Sequence, residues 1–204
     1  FEFFIFGICA FLYAAALILI DPFISIYTQG VHDIDYTNQL YGILFVIWGI
    51  LFNARIPYTT LVNAGGLYRE TRQVNIQQVL ILLGLALILV QNYNIIGLLV
   101  ALIVSALYWV TSLILVVKQT LLNISPLFTF RRIFRMFAIV FIAYVPFIFS
   151  WQIFAESFYE WFISALWVSV WCLFVTVSVN YLFDRKVLGE SIERIKKLLP
   201  SKGV

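Results

Sequence analysis

Six stretches of apolar residues, each near the length of a membrane-spanning helix, are separated by short polar breaks along this chain. Crossing about 30 Å of hydrocarbon takes roughly 20 apolar residues, because a helix rises 1.5 Å per residue. The pattern predicts spans at residues 3–20, 39–62, 76–90, 95–117, 133–151 and 161–183. The uncharged break at residues 91–94 predicts an antiparallel hairpin between the third and fourth spans. We therefore expect an all-α, polytopic transmembrane helical bundle of about six spans.

The composition agrees with a lipid environment. Hydrophobic residues make up 63% of the 204 residues and charged residues 11%, whereas a soluble domain has about 25% charged residues. The chain opens at Phe1 and its only methionine is Met136, so we expect it to be part of a longer protein. Cys9 and Cys172 lie in apolar spans without a Cys-x-x-Cys or Cys/His pattern, so we expect them to pack and predict no metal site and no cofactor.

The thirteen lysines and arginines predict the orientation of the spans. All of them fall at the junction of the second and third spans, at the junction of the fourth and fifth spans, or after the sixth span. Cytoplasmic loops retain such residues. The connections on the opposite side display five acidic residues instead: Asp21, Asp33, Asp35, Glu156 and Glu160. We therefore expect both ends of the chain in the cytoplasm, and we attribute the net charge of +3 to membrane topology and not to nucleic acid binding.

A tail follows the membrane bundle, which we assign to residues 1–183. In residues 184–204, one apolar helical stripe is formed by Leu188, Ile192, Ile195 and Leu199. The polar face of this predicted helix is rich in lysine and arginine. The pattern predicts a cytoplasmic amphipathic helix, lying either in the headgroup layer or against the protein's own cytoplasmic face.

The second predicted span carries a polar sector. At 100° per residue, a sector of about 60° contains Tyr41, Trp48, Phe52, Arg55 and Thr59, with Asn63 beside it. Arg55 lies about 24 Å along the helix from its outer end. An arginine inside the membrane is a candidate functional residue. The alternative is that its side chain extends to the cytoplasmic headgroups.

Other polar features have simpler explanations. His32 lies near Asp33 and Asp35 in an outer connection and is typical of a solvated loop. The pair at residues 65–66, two glycines, is expected to close span two. Pro57 and Pro146 each remove a backbone hydrogen bond within a span, which membrane helices tolerate when neighbours satisfy the freed groups.

Two segments resemble a known family. DPFISIYTQGVHDIDY (residues 21–36) and RIPYTTLVNAGGLYRET (residues 55–71) are similar to segments of the bacterial polysaccharide flippases, which include O-antigen and capsular repeat-unit flippases. These belong to the multidrug/oligosaccharidyl-lipid/polysaccharide exporter superfamily. The resemblance covers most of the chain and is strongest over residues 20–118. It implies a two-lobe MATE-like transporter of about twelve to fourteen helices, of which this chain supplies the last six.

The resemblance also implies a substrate and a site. The family moves undecaprenyl-pyrophosphate-linked oligosaccharide across the bacterial cytoplasmic membrane, and basic residues in its cavity meet the anionic carrier. Arg55 matches such a position, and we expect its neighbours to complete a substrate-binding surface: Thr59, Trp48, Tyr41 and Asn63. The expected partners are this lipid-linked oligosaccharide, membrane lipids and the missing N-terminal lobe.

Other functions stay open from the sequence. A lipid II flippase and a multidrug exporter share the architecture, but a cation-driven exporter usually has carboxylates inside the membrane, and no acidic residue lies deep in a predicted span. A polymerase or glycosyltransferase of cell-envelope assembly usually carries a large extramembrane domain, which this chain lacks. A structural subunit of a complex has no feature in its favour. We therefore expect a transporter and not an enzyme.

Overall fold

Helices account for every regular element of the residues that the computed structural model describes, namely 2–29, 38–122, 125–149, 151, 153 and 155–184. They are α1 (Glu2–Tyr27), α2 (Gln39–Ala54), α3 (Ile56–Gly65), α4 (Tyr68–Val117), α5 (Leu127–Phe149) and α6 (Phe158–Phe183). A π-helical segment, Lys118–Leu122, continues α4. With α2 and α3 taken together, five of these helices are long and apolar enough to cross a membrane. The predicted all-α architecture is confirmed.

The chain reverses direction inside α4. Asn94 has φ 49° and ψ −127°, which no helix accommodates. The indole Nε1 of Trp109 donates to Asn75 Oδ1 at 2.9 Å, although the two residues would lie about 50 Å apart in one straight helix. A Cβ on Gly97 would lie 2.3 Å from the Leu89 carbonyl oxygen, so the closest approach of the two arms admits only glycine. The predicted hairpin is confirmed, and α4 consists of a first arm (68–93) and a second arm (95–117).

Several helices are longer than the predicted spans. Helix α1 continues through Asp21 and Pro22 to Tyr27, whereas the prediction ended it at residue 20. The first arm of α4 begins at Tyr68 instead of residue 76, and α5 begins at Leu127 instead of residue 133. Hydropathy marks where the apolar run stops, but the backbone hydrogen bonds of a helix continue as long as its polar side chains find partners or water.

Packing places α1 at the centre of the bundle. It contacts α2, α5 and α6, while α4 packs against α2 and α3. Ala10 and Ala14, both fully buried, give α1 a narrow face on which neighbouring helices approach closely. Cys9 and Cys172 are buried free thiols within this core, as predicted.

Charged residues gather at one end of the bundle. The start of α1, the end of α4, the start of α5 and the end of α6 meet there, and we call this the charged end, defined by Glu2, Lys118, Arg132 and Asp184. The predicted spans therefore alternate in direction as the charge pattern requires. The side of the membrane that the charged end faces stays a prediction.

Glycine ends α3 as the sequence predicts. Gly66 adopts φ 65° and ψ 23°, a left-handed conformation that costs glycine little and other residues more. Its N–H and that of Leu67 both donate to the Val62 carbonyl, the latter at 3.1 Å. These bonds satisfy a carbonyl that the helix end would otherwise leave without a partner.

Candidate functional site

Arg55 lies at a break between α2 and α3. Pro57, two residues later, has no N–H, so the Asn53 carbonyl loses its usual donor. The backbone N–H of Arg55 bonds this carbonyl, and its Nε donates to the Phe52 carbonyl at 3.0 Å. Arg55 thus supplies donors to the two carbonyls next to the break. This explains why α3 can follow α2 directly, with Arg55 as the single residue between them.

Two aromatic rings cover the guanidinium of Arg55. Its Cζ is 3.9 Å from the ring centroid of Phe52 and 4.0 Å from that of Trp109, on the second arm of α4. Trp109 lies nine residues before Lys118, about 14 Å from the charged end, and fifteen residues after Asn94, about 22 Å from the hairpin turn. The partly exposed side chain therefore lies between the two ends of the bundle. Its position relative to the headgroup layer stays a prediction.

The ring contacts leave the edge of the guanidinium free. Arginine has five N–H donors in one plane, and only the Nε–H of Arg55 has a hydrogen-bond acceptor among the described residues. Both ring centroids lie within 4.0 Å of its central Cζ. The two Nη groups have no hydrogen-bond acceptor among the residues that the structure describes.

Three predicted site residues form one continuous surface with Phe52. Trp48 contacts the ring of Phe52 at 5.2 Å between centroids, and Phe52 contacts Arg55. The hydroxyl of Thr59, one turn beyond Arg55, donates to the Ile56 carbonyl at 3.0 Å. Ring contacts therefore join Trp48, Phe52 and Arg55, and Thr59 follows Arg55 on the next turn. The assignment of these residues to a substrate site stays a prediction.

The other two predicted residues lie apart from this surface. Tyr41 is half-buried, seven residues before Trp48, and Asn63 is exposed near the end of α3. No hydrogen bond or ring contact joins either side chain to Arg55 among the residues that the structure describes. Their assignment to the site stays a prediction.

Trp109 and Asn75 are members of the site that the sequence analysis missed. The Trp109 indole is fixed on one side by Asn75 and on the other by the Arg55 guanidinium. Tyr108, the residue before Trp109, bonds Gln77 on the first arm through its hydroxyl. These polar pairs join the two arms of α4, and only the hairpin geometry brings them together.

Glu2 is the second feature that the sequence did not reveal. Its carboxylate accepts a hydrogen bond from the Tyr58 hydroxyl at 2.8 Å and from Arg132 Nη1 at 3.1 Å, and lies 3.7 Å from Lys118 Nζ. The Tyr58 hydroxyl also bonds the Thr129 hydroxyl at 2.6 Å, with both residues fully buried. One acidic side chain of α1 therefore connects α3, α5 and the segment after α4.

Asp184 extends this group to the end of α6. Its carboxylate lies 2.7 Å from Arg135 Nη2 and 3.7 Å from Arg132 Nε. Together with Glu2 and Lys118, these residues form what we call the ion network. The charge pattern predicts these arginines at the junction before the fifth span, but they occupy the first turns of α5. Glu2 and Asp184 compensate the charges of Arg132 and Arg135 there.

A carboxylate also lies at the opposite end of the bundle. Asp21, predicted to be in a connection, belongs to α1 and lines two adjacent cavities of about 360 and 470 Å³. The first is also lined by Gln39 and Tyr144, whose side chains are hydrogen-bonded. Pro22 does not end α1, so Asp21 lies inside the helix, but it is only six residues from its end at Tyr27. The prediction that no acidic residue lies deep in a span is therefore not contradicted by Asp21.

Two predictions lie outside the described residues. These are the solvated loop around His32 and the amphipathic tail helix, apart from Asp184. Within the ranges that are described, no group of three or more His, Cys, Asp or Glu side chains is arranged to hold a metal ion.

Comparison with known proteins adds no relative. No protein-family model matches the sequence, and no curated protein or solved structure matches it. Five helices of the described residues are long and apolar enough to cross a membrane. The fold is therefore that of a multi-pass membrane protein.

Proposed function

We propose that this chain forms the last six spans of a two-lobe MATE-like polysaccharide flippase. The protein would move an undecaprenyl-pyrophosphate-linked oligosaccharide from the inner to the outer leaflet of the bacterial cytoplasmic membrane, for surface polysaccharide synthesis. In this proposal it is a transporter and not an enzyme, and both ends of the chain are cytoplasmic. The resemblance of residues 21–36 and 55–71 to such flippases supports the proposal.

The observation that carries the proposal is the Arg55 guanidinium, which lies partway along the bundle with two nitrogens that have no hydrogen-bond acceptor among the described residues. Transporters commonly place substrate at interrupted helices, and Arg55 lies at the break between α2 and α3. A planar fork with two unengaged Nη groups matches the oxygens of a pyrophosphate, to which it donates paired hydrogen bonds. Trp48 adds an amphipathic ring to the same surface, adjacent to Phe52.

A second candidate follows from Asp21. Asp21 lines a cavity at the end opposite the arginines, and a cation-driven exporter of the same superfamily would use such a carboxylate. Asp21 lies near the end of α1 and not deep in it, so it weighs less than a carboxylate at the middle of a span. The two candidates differ in substrate, since an exporter of cationic drugs has no use for a guanidinium donor in its path.

Substitution of Arg55 tests the proposal. In a flippase-null strain complemented with the full-length protein, we expect Arg55→Lys to reduce surface polysaccharide partly, because an ammonium keeps the charge but not the paired geometry. Arg55→Gln should reduce it at least tenfold, since the charge-assisted hydrogen bonds are lost. Arg72→Gln, at an exposed arginine near the start of α4, serves as the control and should be silent.

Protein level in the membrane must be measured for each variant, because Arg55 also replaces helix hydrogen bonds. Normal polysaccharide from Arg55→Gln at normal protein level would refute the role of Arg55. Loss of drug efflux with polysaccharide unchanged in Asp21→Asn would favour the second candidate.

A further inference from the structure

A cleft opens between α5 and α6 at the charged end, away from Arg55, which packs against α4. Its volume is about 450 Å³, within the range of small-molecule sites. One part of its wall is cationic, and the rest is formed by apolar side chains of both helices. The residues that the argument uses are Arg131, Arg135, Ala138, Ile142, Leu182 and Asp184.

The character of the cleft changes along α5. Arg131 and Arg135 are one turn apart, and Ala138 and Ile142 continue the same helical stripe. From Arg135 to Ile142 the rise is about 11 Å. The cleft therefore passes from charged to apolar over the distance that separates a lipid phosphate from the first part of its acyl chains.

Helix α6 matches this gradient from the other side. It runs antiparallel to α5, so Leu182 and Val179 line the cleft progressively deeper than Asp184 at its mouth. Leu182 is 76% exposed, whereas Val179 is buried. The apolar wall is therefore accessible to a chain that enters from the surrounding lipid.

The charge at the mouth is not balanced. Three arginines line it, together with a single carboxylate, that of Asp184, which pairs with Arg135 and Arg132. Arg131 is exposed and has no ion pair among the described residues. Arg132 also pairs with Glu2 at 3.1 Å, so the three arginines have two carboxylate partners. The excess is about one positive charge, that of Arg131, whose guanidinium is free to bind an anion.

We propose that this cleft binds one anionic glycerophospholipid, which is not transported. The phosphate lies at Arg131 and Arg135, and an acyl chain packs against Ala138, Ile142 and Leu182. A membrane-facing cleft with a cationic mouth fits such a lipid because burial of the chain and Coulombic attraction to the headgroup act together. The inference does not depend on the transported substrate, since the cleft and Arg55 are on different helices.

Native mass spectrometry of the full-length protein in a neutral detergent tests the proposal. Phosphatidylglycerol and phosphatidylcholine with identical chains are titrated in parallel, and we expect at least tenfold tighter binding of phosphatidylglycerol. Arg131→Gln should weaken that binding about tenfold, because one charge-assisted contact is lost. The control is Arg69→Gln, an exposed arginine at the same end without an ion pair among the described residues; it should leave binding within twofold.

A second variant tests the apolar half of the cleft. Ala138→Phe fills the space for the chain without changing charge, so it should also weaken phosphatidylglycerol binding about tenfold. Glycerophosphoglycerol, the headgroup alone, should not compete at the same concentration, since it lacks the chains. Unchanged melting temperatures of the variants would show that folding is intact.

Three results would overturn the proposal. Equal binding of the two phospholipids would show that charge plays no part. Equal losses in Arg131→Gln and Arg69→Gln would indicate a general surface potential instead of a site. Displacement of phosphatidylglycerol by equimolar undecaprenyl phosphate would identify the cleft as a site for the carrier lipid.

Discussion

Replacement of Glu2 by glutamine should destabilise the whole bundle, because a single carboxylate compensates two cations from different helices. Its side chain is 16% exposed, and those of Arg132 and Lys118 are 12% and 7% exposed. Glutamine retains the size of the side chain and an acceptor for the Tyr58 hydroxyl. It removes the negative charge and replaces one of the two acceptor oxygens by an NH2 donor, so the measured change reports the ion network and not a cavity.

The magnitude follows from the burial of the three groups. Removing one partner of a buried ion pair costs about 3–5 kcal/mol, because the remaining charge stays desolvated. Arg132 retains Asp184 as a second partner, and residual exposure admits some water, so we expect the lower end, about 3 kcal/mol. For a chain of this size, 1 kcal/mol lowers the melting temperature by about 2–4 °C, which gives a decrease of about 6–12 °C.

A thiol-reactive dye provides the assay. Cys9 and Cys172 are buried and free, so they react as the purified full-length protein unfolds on heating in detergent. The matched control is Glu70→Gln, at an exposed acidic residue of α4 without an ion pair among the described residues, which should shift the melting temperature by less than about 1 °C. A decrease of less than 2 °C for Glu2→Gln, or an equal decrease in the control, would refute the reasoning.

Glycine substitutions test the packing of the same bundle by the same assay. A Cβ on Gly49 would lie 2.4 Å from the Tyr13 ring, whose hydroxyl accepts a hydrogen bond from Asn53, so Gly49→Ala should cost about 1–3 kcal/mol. Gly84→Ala meets no atom within 4 Å and should be neutral or slightly stabilising; equal effects at both sites would contradict the packing of α1 on α2. Gly66→Ala should cost about 1–2 kcal/mol because of its positive φ, and Gly66→Asn less; a neutral Gly66→Ala would contradict the left-handed end of α3.

Local sequence patterns were sufficient for the elements of the fold. The apolar stretches located all the helical segments, and the uncharged break before Gly97 located the hairpin. The glycine pair at 65–66 correctly marked the end of α3, and both cysteines were correctly expected to be buried. Each of these features depends on residues close together in sequence, which is why a single sequence predicts them.

The contacts that define the site depend on residues far apart in sequence. Arg132 and Glu2 are 130 positions apart, and Trp109 meets Arg55 only because α4 folds back at Asn94. A helical wheel of span two grouped Trp48 and Arg55 on one face. It contained no information on the helix that this face would meet.

The helix ends were predicted least well, for a related reason. Hydropathy ended the first span before Asp21, although α1 continues for six further residues. It likewise began the fifth span after Arg132, although α5 starts at Leu127. A charged residue ends an apolar run. It ends a helix only when neither a partner nor water compensates its charge. The partners of Arg132 belong to other parts of the chain, so the local sequence does not reveal them.

Topology mapping by cysteine labelling tests the central claim most directly, namely that six alternating spans place the charged end in the cytoplasm. Single cysteines are introduced into the full-length protein after its native cysteines, including Cys9 and Cys172, have been replaced, and the variants are labelled in intact cells. We expect a membrane-impermeant thiol reagent to label Asn92→Cys at the hairpin turn and Ser157→Cys before α6. It should not label Tyr68→Cys or Leu127→Cys, although these positions are 62% and 76% exposed. Labelling of Leu127→Cys without labelling of Asn92→Cys would contradict the account.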